Sequence, residues 1–430
     1  MHSEKRWPNM NKNRFGITIS AFGVLTLIAC SSSCSTESAT GGATQLPFTG
    51  IASHETQVFL AMDAQGNGTT VWRDGDARFW WTRVLRGSGL TDSAVLAETQ
   101  SQTGSFVADR DGNLTFILTR NGASVFRRYV PNQSWSDLPS PGSTLGWLDA
   151  GPGGQLITVF GATDDAQKKR LVVQRYGPSS GWSAPDTLAE IAETNVIGLD
   201  AAIYADGSAL VTWTSTQGAI PQAYERFVPG TGWTGVKTTD ILGGTSHLLS
   251  NDQGGAMLLT FSSDANQQPT HTLTSRSFGP EGLGAAQTVA LDSTQFYASA
   301  MGKNGAAIVA WKGPVGVRAH YFSPSGGWTS IDVPGSDSAG SAGPPLVGID
   351  AQGRAVVAWG AGVGARGYNA HVFSARYAPA SGWTSSTQVD SDGAAFYGPL
   401  LVNDAGDAML GWSQDASDTA NGTHWVKLLP

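Results

Sequence analysis

The chain has 430 residues, with 26 Lys and Arg against 34 Asp and Glu, 55 Gly, 15 Trp and 2 Cys. A charged fraction of 14% beside this much Gly and Trp excludes a disordered or coiled-coil protein, and a net charge of −8 argues against a nucleic-acid partner. Both cysteines, Cys30 and Cys34, lie near the start, so the remainder has neither disulfides nor thiolate metal ligands.

The N-terminal stretch reads as an export signal. Lys5, Arg6, Lys12 and Arg14 precede an apolar run from Phe15 to Ala29, with Met10 as an alternative start. That run is shorter than the roughly 20 residues a helix needs to cross a bilayer. It closes in Leu27-Ile28-Ala29-Cys30, which resembles the bacterial lipobox. The resemblance implies cleavage before Cys30, diacylglycerol on its thiol and, with Ser31 next, sorting to the outer membrane of a Gram-negative cell. An ordinary signal followed by an unrelated cysteine is the alternative. Loss of residues 1–29 takes the net charge to about −11. The following SSSCSTESATGGAT is too polar to pack and suits a flexible tether. The predicted organisation is therefore a signal peptide over 1–29, a lipidated Cys30 with tether over 30–43, and one domain over 44–430.

That domain is a repeat. A glycine followed six positions later by a large apolar residue recurs as Gly66/Trp72, Gly112/Leu118, Gly154/Phe160, Gly207/Trp213, Gly255/Phe261, Gly305/Trp311, Gly353/Trp359 and Gly406/Trp412. The spacing averages about 49 residues. A second motif follows at a variable distance: RYVPNQSW from Arg128, RYGPSSGW from Arg175, RFVPGTGW from Arg226, YFSPSGGW from Tyr321 and RYAPASGW from Arg376, with the eighth copy breaking off at KLLP. It is degraded to SFGPEGL in the fifth copy and barely visible as RVLRGSGL in the first.

After each glycine come segments such as AIVAW and AVVAW, apolar on both alternating faces, as a strand buried between stacked sheets requires. Each repeat reads as strand, Gly turn, strand, variable loop, strand, Pro-x-x-Gly-Trp turn, strand. Four strands per repeat without helical periodicity predict an all-β fold, a β-propeller of about eight four-stranded blades. Seven is the alternative if the weak first copy is not a full blade. The eighth copy stops after its third strand, so an N-terminal strand within Ala43 to Gly50 is expected to complete the last blade.

The candidate chemistry is weighed against this repeat. Three positions before the aligned glycine stand Asp63, Asp109, Gly151, Tyr204, Asp252, Gly302, Asp350 and Asn403. The glycine persists while the carboxylate does not, which marks a backbone requirement rather than a cation or catalytic site. The recurrent tryptophans read as packing between blades, with a sugar-stacking platform as the alternative. Arg128, Arg175, Arg226 and Arg376 read as outer-strand residues lying over an aromatic neighbour or pairing with an acid. His54, His247, His271, His320, His371 and His424 are isolated, no zinc or nucleotide motif is present, and neither a cofactor nor a metal is expected. The aromatic interval of six also departs from the sialidase Asp-box and from quinone-binding propellers.

What the chain resembles is the set of bacterial exported lipoproteins built from Asp-x-x-Gly…Trp…Arg-Tyr-x-Pro-x-x-Gly-Trp repeats. This resemblance covers about residues 55 to 430 and implies a propeller and export, with no established activity. Both short turns of each blade share one face, and the variable connections gather on the other, where specificity usually resides. His271, Arg366, Tyr368, His371, His424, Tyr297 and Tyr397 are the candidate binding residues there, and no catalytic residue is assigned. The expected function is a membrane-anchored extracytoplasmic binding or scaffold protein for an envelope protein. A glycan-binding lectin and a glycan hydrolase or lyase with two carboxylates at the channel mouth are the alternatives.

Overall fold

The computed structural model describes residues 44–45 and most of 58–429; residues 1–43, 46–57, 74–77, 87, 99–103, 121–122, 142–145, 164–167, 192–195, 216–220, 243–244, 264–268, 280, 292–296, 338–343, 363–370, 391–393, 416–422 and 430 lie outside the described residues. Cys30, Arg366 and Tyr368 fall among the latter.

The seventh repeat shows how the unit forms. Gly353 takes φ +82°, a left-handed conformation open to glycine, and turns Leu346–Ile349 back along Ala355–Ala361 with Val347 opposite Val357. Every residue of Ala355–Ala361 is buried, as expected for a strand covered on both faces. His371–Ala378 follows antiparallel, with Trp359 opposite Phe373, and Gly382–Trp383 forms the outer edge.

The same order recurs in eight antiparallel sheets among the described residues, and the chain is an all-β propeller. The first strands are Val58–Met62, Gly104–Ala108, Trp147–Gly151, Val196–Ile203, Thr245–Ser250, Tyr297–Met301, Leu346–Ile349 and Ala394–Val402. The faint first repeat forms a sheet like the others. In the eighth sheet, Thr44–Gln45 lies antiparallel on Thr423–Leu429, with Thr44 opposite Val426.

First strands of neighbouring sheets lie against one another as the innermost strands of the propeller, and the space they line is here called the lumen. The cores sit between sheets: Ile308, Tyr321, Val357 and Trp359 join the sixth and seventh, and Leu60, Met62, Leu401 and Met409 join the first and eighth.

Two local readings need correction. The outer strand is two short pieces in most sheets, for example Gly181–Trp182 and Asp186–Glu190, both paired with Lys169–Gly177. Between them the Ser183 hydroxyl accepts from Arg175 N–H, and Thr91 and Thr384 serve Arg83 and Arg376 alike, so the ladder steps outward without orphaning an amide. In the fifth repeat the positive φ belongs to Gly254, not Gly255, because two adjacent glycines let the count from Phe261 slip by one. Thr260 therefore occupies the aromatic slot, and Asn251 rather than Asp252 heads the turn.

Candidate functional site

The Gly turns are built by one residue type with a variable tip. Asp63, Asp109, Asn251, Asp350 and Asn403 each place Oδ1 to accept two backbone N–H groups, two and four residues on, at 2.7–3.2 Å. The second side-chain atom is matched to what faces it. Where donors face it, an Asp Oδ2 accepts, from Arg83 at Asp63, from Gly154 N–H at Asp109 and from Arg354 at Asp350. Where carbonyls face it, an Asn Nδ2 donates, to Lys303 from Asn251 and to Asp63 from Asn403. Where the heading residue is Tyr204 or Gly302, Asp206 or Asn304 caps the later N–H instead. The turn carboxylate is thus a backbone cap. Asp350, fully buried and bonded three ways, is not dispensable in its own turn even though other turns use other tips.

The recurrent arginines lie on third strands, not outer strands, and most bridge forward to the next sheet. Arg128 donates to Gly153 at 3.5 Å, Arg226 to Gly279 at 2.9 Å, and Arg376 to Gly406 and Leu429 at 2.9 and 3.0 Å. In the sixth sheet the Tyr321 hydroxyl does this, donating to Gly353 at 3.0 Å. The tryptophans of the Pro-x-x-Gly-Trp turns reach backward through Nε1: Trp182 to Pro139, Trp233 to Asp186, Trp328 to Ser275 and Trp383 to Ile331. The other recurring set, Trp72, Trp213, Trp311, Trp359 and Trp412, is buried on second strands. Both sets are packing elements.

The lumen is bridged at its turn end. Arg110, beside the second Gly turn, reaches Asp404 of the eighth sheet at 3.1 Å, Asp252 of the fifth at 3.4 Å and the Met301 carbonyl of the sixth. Lys303 also binds Asp404, at 3.3 Å. Burial raises the Asp252 carboxyl above its ordinary range, and Arg110 opposes this. Deeper along the first strands, Asp200 accepts from Leu248 N–H at 2.9 Å and lies 3.5 Å from His247 Nδ1. Asp149, on the neighbouring first strand, is pushed up to about 7 by burial, with the N–H of Ala150 opposing and the charges of Asp200 and Asp252 adding. The Tyr297 phenol is raised by burial and by Asp200. Among the described residues no three His, Cys, Asp or Glu converge on a point that could hold a metal.

Of the sequence candidates, Tyr297 and Tyr397 stand on innermost strands, and His271 and His424 on third strands. His371 is the candidate whose partners are described. Its Nδ1 meets Asp390 at 3.3 Å and Gln388 at 3.1 Å, at the start of a third strand on the variable face. Asp390 also accepts Val372 N–H at 3.0 Å, which fixes the acid beneath the imidazole. The structure places Tyr297, His371 and Tyr397 on three different sheets, the sixth, seventh and eighth. It shows instead two features with no local sequence signal, the Arg110 bridge and a cleft between the third and fourth sheets lined by Gln155, Arg175, Tyr176, Trp182 and Gly207.

No family model and no curated protein matches this chain. Solved structures similar to it include a lectin from Burkholderia pseudomallei, 13% identical, covering 77% of this chain and 98% of that one at TM-score 0.48. A eukaryotic initiation factor is 11% identical over 88% and 89% at TM-score 0.47, and a streptogramin B lyase is 9% identical over 78% and 96% at 0.39. At these values none bears on ligand or activity.

Proposed function

We propose that this protein is a non-catalytic binding or scaffold propeller of the bacterial envelope, held by lipidated Cys30, whose eight sheets act as eight blades of one ring completed by the Thr44–Gln45 strand. The observation that supports a binding role is the contrast between its two faces. On one, short turns are tied to their neighbours, as Ala205 N–H is to Asp252 and Asn403 is to Asp63, and Arg110 spans the lumen. On the other run the connections between second and third strands, which differ in length and sequence from repeat to repeat and carry His371 at their edge. A rigid ring with one variable face suits recognition of a protein partner.

The test is affinity capture from solubilised envelope with the Cys30→Ser chain, run beside a glycan array. Specific capture of an envelope protein supports the reading, and array binding without capture makes the protein a lectin. Failure of both ends the binding reading. A second reading, a glycan hydrolase or lyase, is favoured by one observation, the near-neutral Asp149 carboxyl beside Asp200 on adjoining lumen strands. Turnover of a polysaccharide that disappears in Asp149→Asn would establish it.

A further inference from the structure

The junction between the third and fourth sheets breaks the pattern of forward clamps. At neighbouring junctions the third-strand residue is tied across: Arg128 to Gly153, Arg226 to Gly279, Tyr321 to Gly353 and Arg376 to Gly406. Arg175 holds the same position, yet its guanidinium makes no hydrogen bond or ion pair among the described residues. Its Nε is buried without a partner, and Cζ lies over Phe227, 3.2 Å from the ring centroid. Burial lowers its pKa, with Asp186 opposing, but the Asp186 carboxylate is itself engaged by Trp233. The glycine that should receive the clamp also faces open space: a Cβ on Gly207 would meet nothing nearer than 3.9 Å, whereas at Gly112, Gly353 and Gly406 it would strike an atom within 3 Å.

The space left is a cleft of about 300 Å³. Besides Arg175 it is lined by Gln155 and Ser180, and by Tyr176 and Trp182, whose rings pack toward the second sheet, Trp182 on Phe126 and Tyr176 under Arg128. Gln155 donates its Nε2 to Tyr204 and Pro152, which leaves Oε1 as an acceptor directed at Gly207. An unpaired planar cation, an amide acceptor and a hydroxyl in a volume of this size form a set that recognises a hydroxylated ring bearing one carboxylate.

We propose that this cleft is a binding site for an acidic sugar of the uronate class, its carboxylate held by Arg175 and its hydroxyls by Gln155 and Ser180. The site lies on the short-turn face, opposite the partner face proposed above, and stands or falls separately from it. The test is calorimetric titration of the Cys30→Ser chain with glucuronate, glucose and acetate in parallel. Glucuronate is expected to bind at least tenfold more tightly than glucose or acetate. Binding should be lost in Arg175→Gln and, independently, in Ser180→Trp, which fills the cleft from an exposed turn position; melting temperature checks that each variant is folded. Equal binding of glucuronate and glucose, equal binding of acetate, no binding of any probe, or binding that survives in a folded variant overturns the proposal.

Discussion

Arg110 Nη1 in the second sheet meets Asp404 Oδ1 in the eighth at 3.1 Å, across the lumen and 294 residues away in sequence. The same guanidinium reaches Asp252 and the Met301 carbonyl, so one side chain ties four sheets together. Replacing it with Ala leaves two acids facing Lys303 alone. We expect a loss of about 2–3 kcal/mol in urea unfolding, less than the value for a fully buried pair because Asp404 is part-exposed. The Arg110→Ala/Asp404→Ala double variant should cost less than the sum of the singles.

Asn403 donates Nδ2 to the Asp63 carbonyl at 3.2 Å and to Asp407 Oδ2 at 3.2 Å, while its Oδ1 caps the turn. Asn403→Asp retains the cap but sets a carboxylate against a carbonyl and a second acid. The expected cost is about 1–3 kcal/mol at pH 7, shrinking below about pH 4 as the new group protonates. Urea midpoints at the two pH values measure it.

Burial pushes Asp149 up to about 7 and Asp109 to about 6, against an ordinary value of 3.8. An acid with a raised folded value keeps its proton longer folded than unfolded. Its favourable contribution is therefore present below pH 3.8 and is lost as pH rises through the folded value. Stability should fall between about pH 4 and about pH 7. Asp149→Asn keeps the acceptor for Ala150 N–H and should flatten that slope, gaining about 1–3 kcal/mol at pH 8 relative to the parent.

Gly353→Ala combines a φ of +82° with a Cβ 2.6 Å from the Tyr321 hydroxyl and 2.8 Å from Asn304 Nδ2. Gly181→Ala has φ +74° but open space around it. The first should cost about 3 kcal/mol or more and the second about 1–2 kcal/mol, the strain alone. Trp359→Ala, at a side chain with no exposed surface, should cost about 3–5 kcal/mol. Thermal unfolding of the three variants checks the order.

The repeat was legible because glycine at a positive φ tolerates little else, so Gly66, Gly207, Gly305, Gly353 and Gly406 stand at fixed distances from Trp72, Trp213, Trp311, Trp359 and Trp412. The fifth turn was misread because Gly254 and Gly255 both satisfy a spacing rule and only φ separates them. Asp252, counted as a turn residue, is thereby free to face the lumen and meet Arg110. That contact had no sequence signal, since it joins residues far apart in the chain that only the packing of the sheets brings together. The Arg175 cleft was hidden for the opposite reason. Arg175 looks identical to its sister arginines, and only the missing partner distinguishes it.

The claim that the variable face, and not the short-turn face, binds the protein partner is tested most directly by envelope capture with two matched variants of the Cys30→Ser chain. In one, residues 363–370 and 416–422 are replaced by Gly/Ser sequence of equal length; in the other, the exposed short-turn residue Gln65 and Ala64 beside it are replaced by Lys. The account predicts that capture is lost only in the first, with both variants melting as the parent does. Capture unchanged by the loop replacement, or lost on the short-turn substitutions alone, contradicts it.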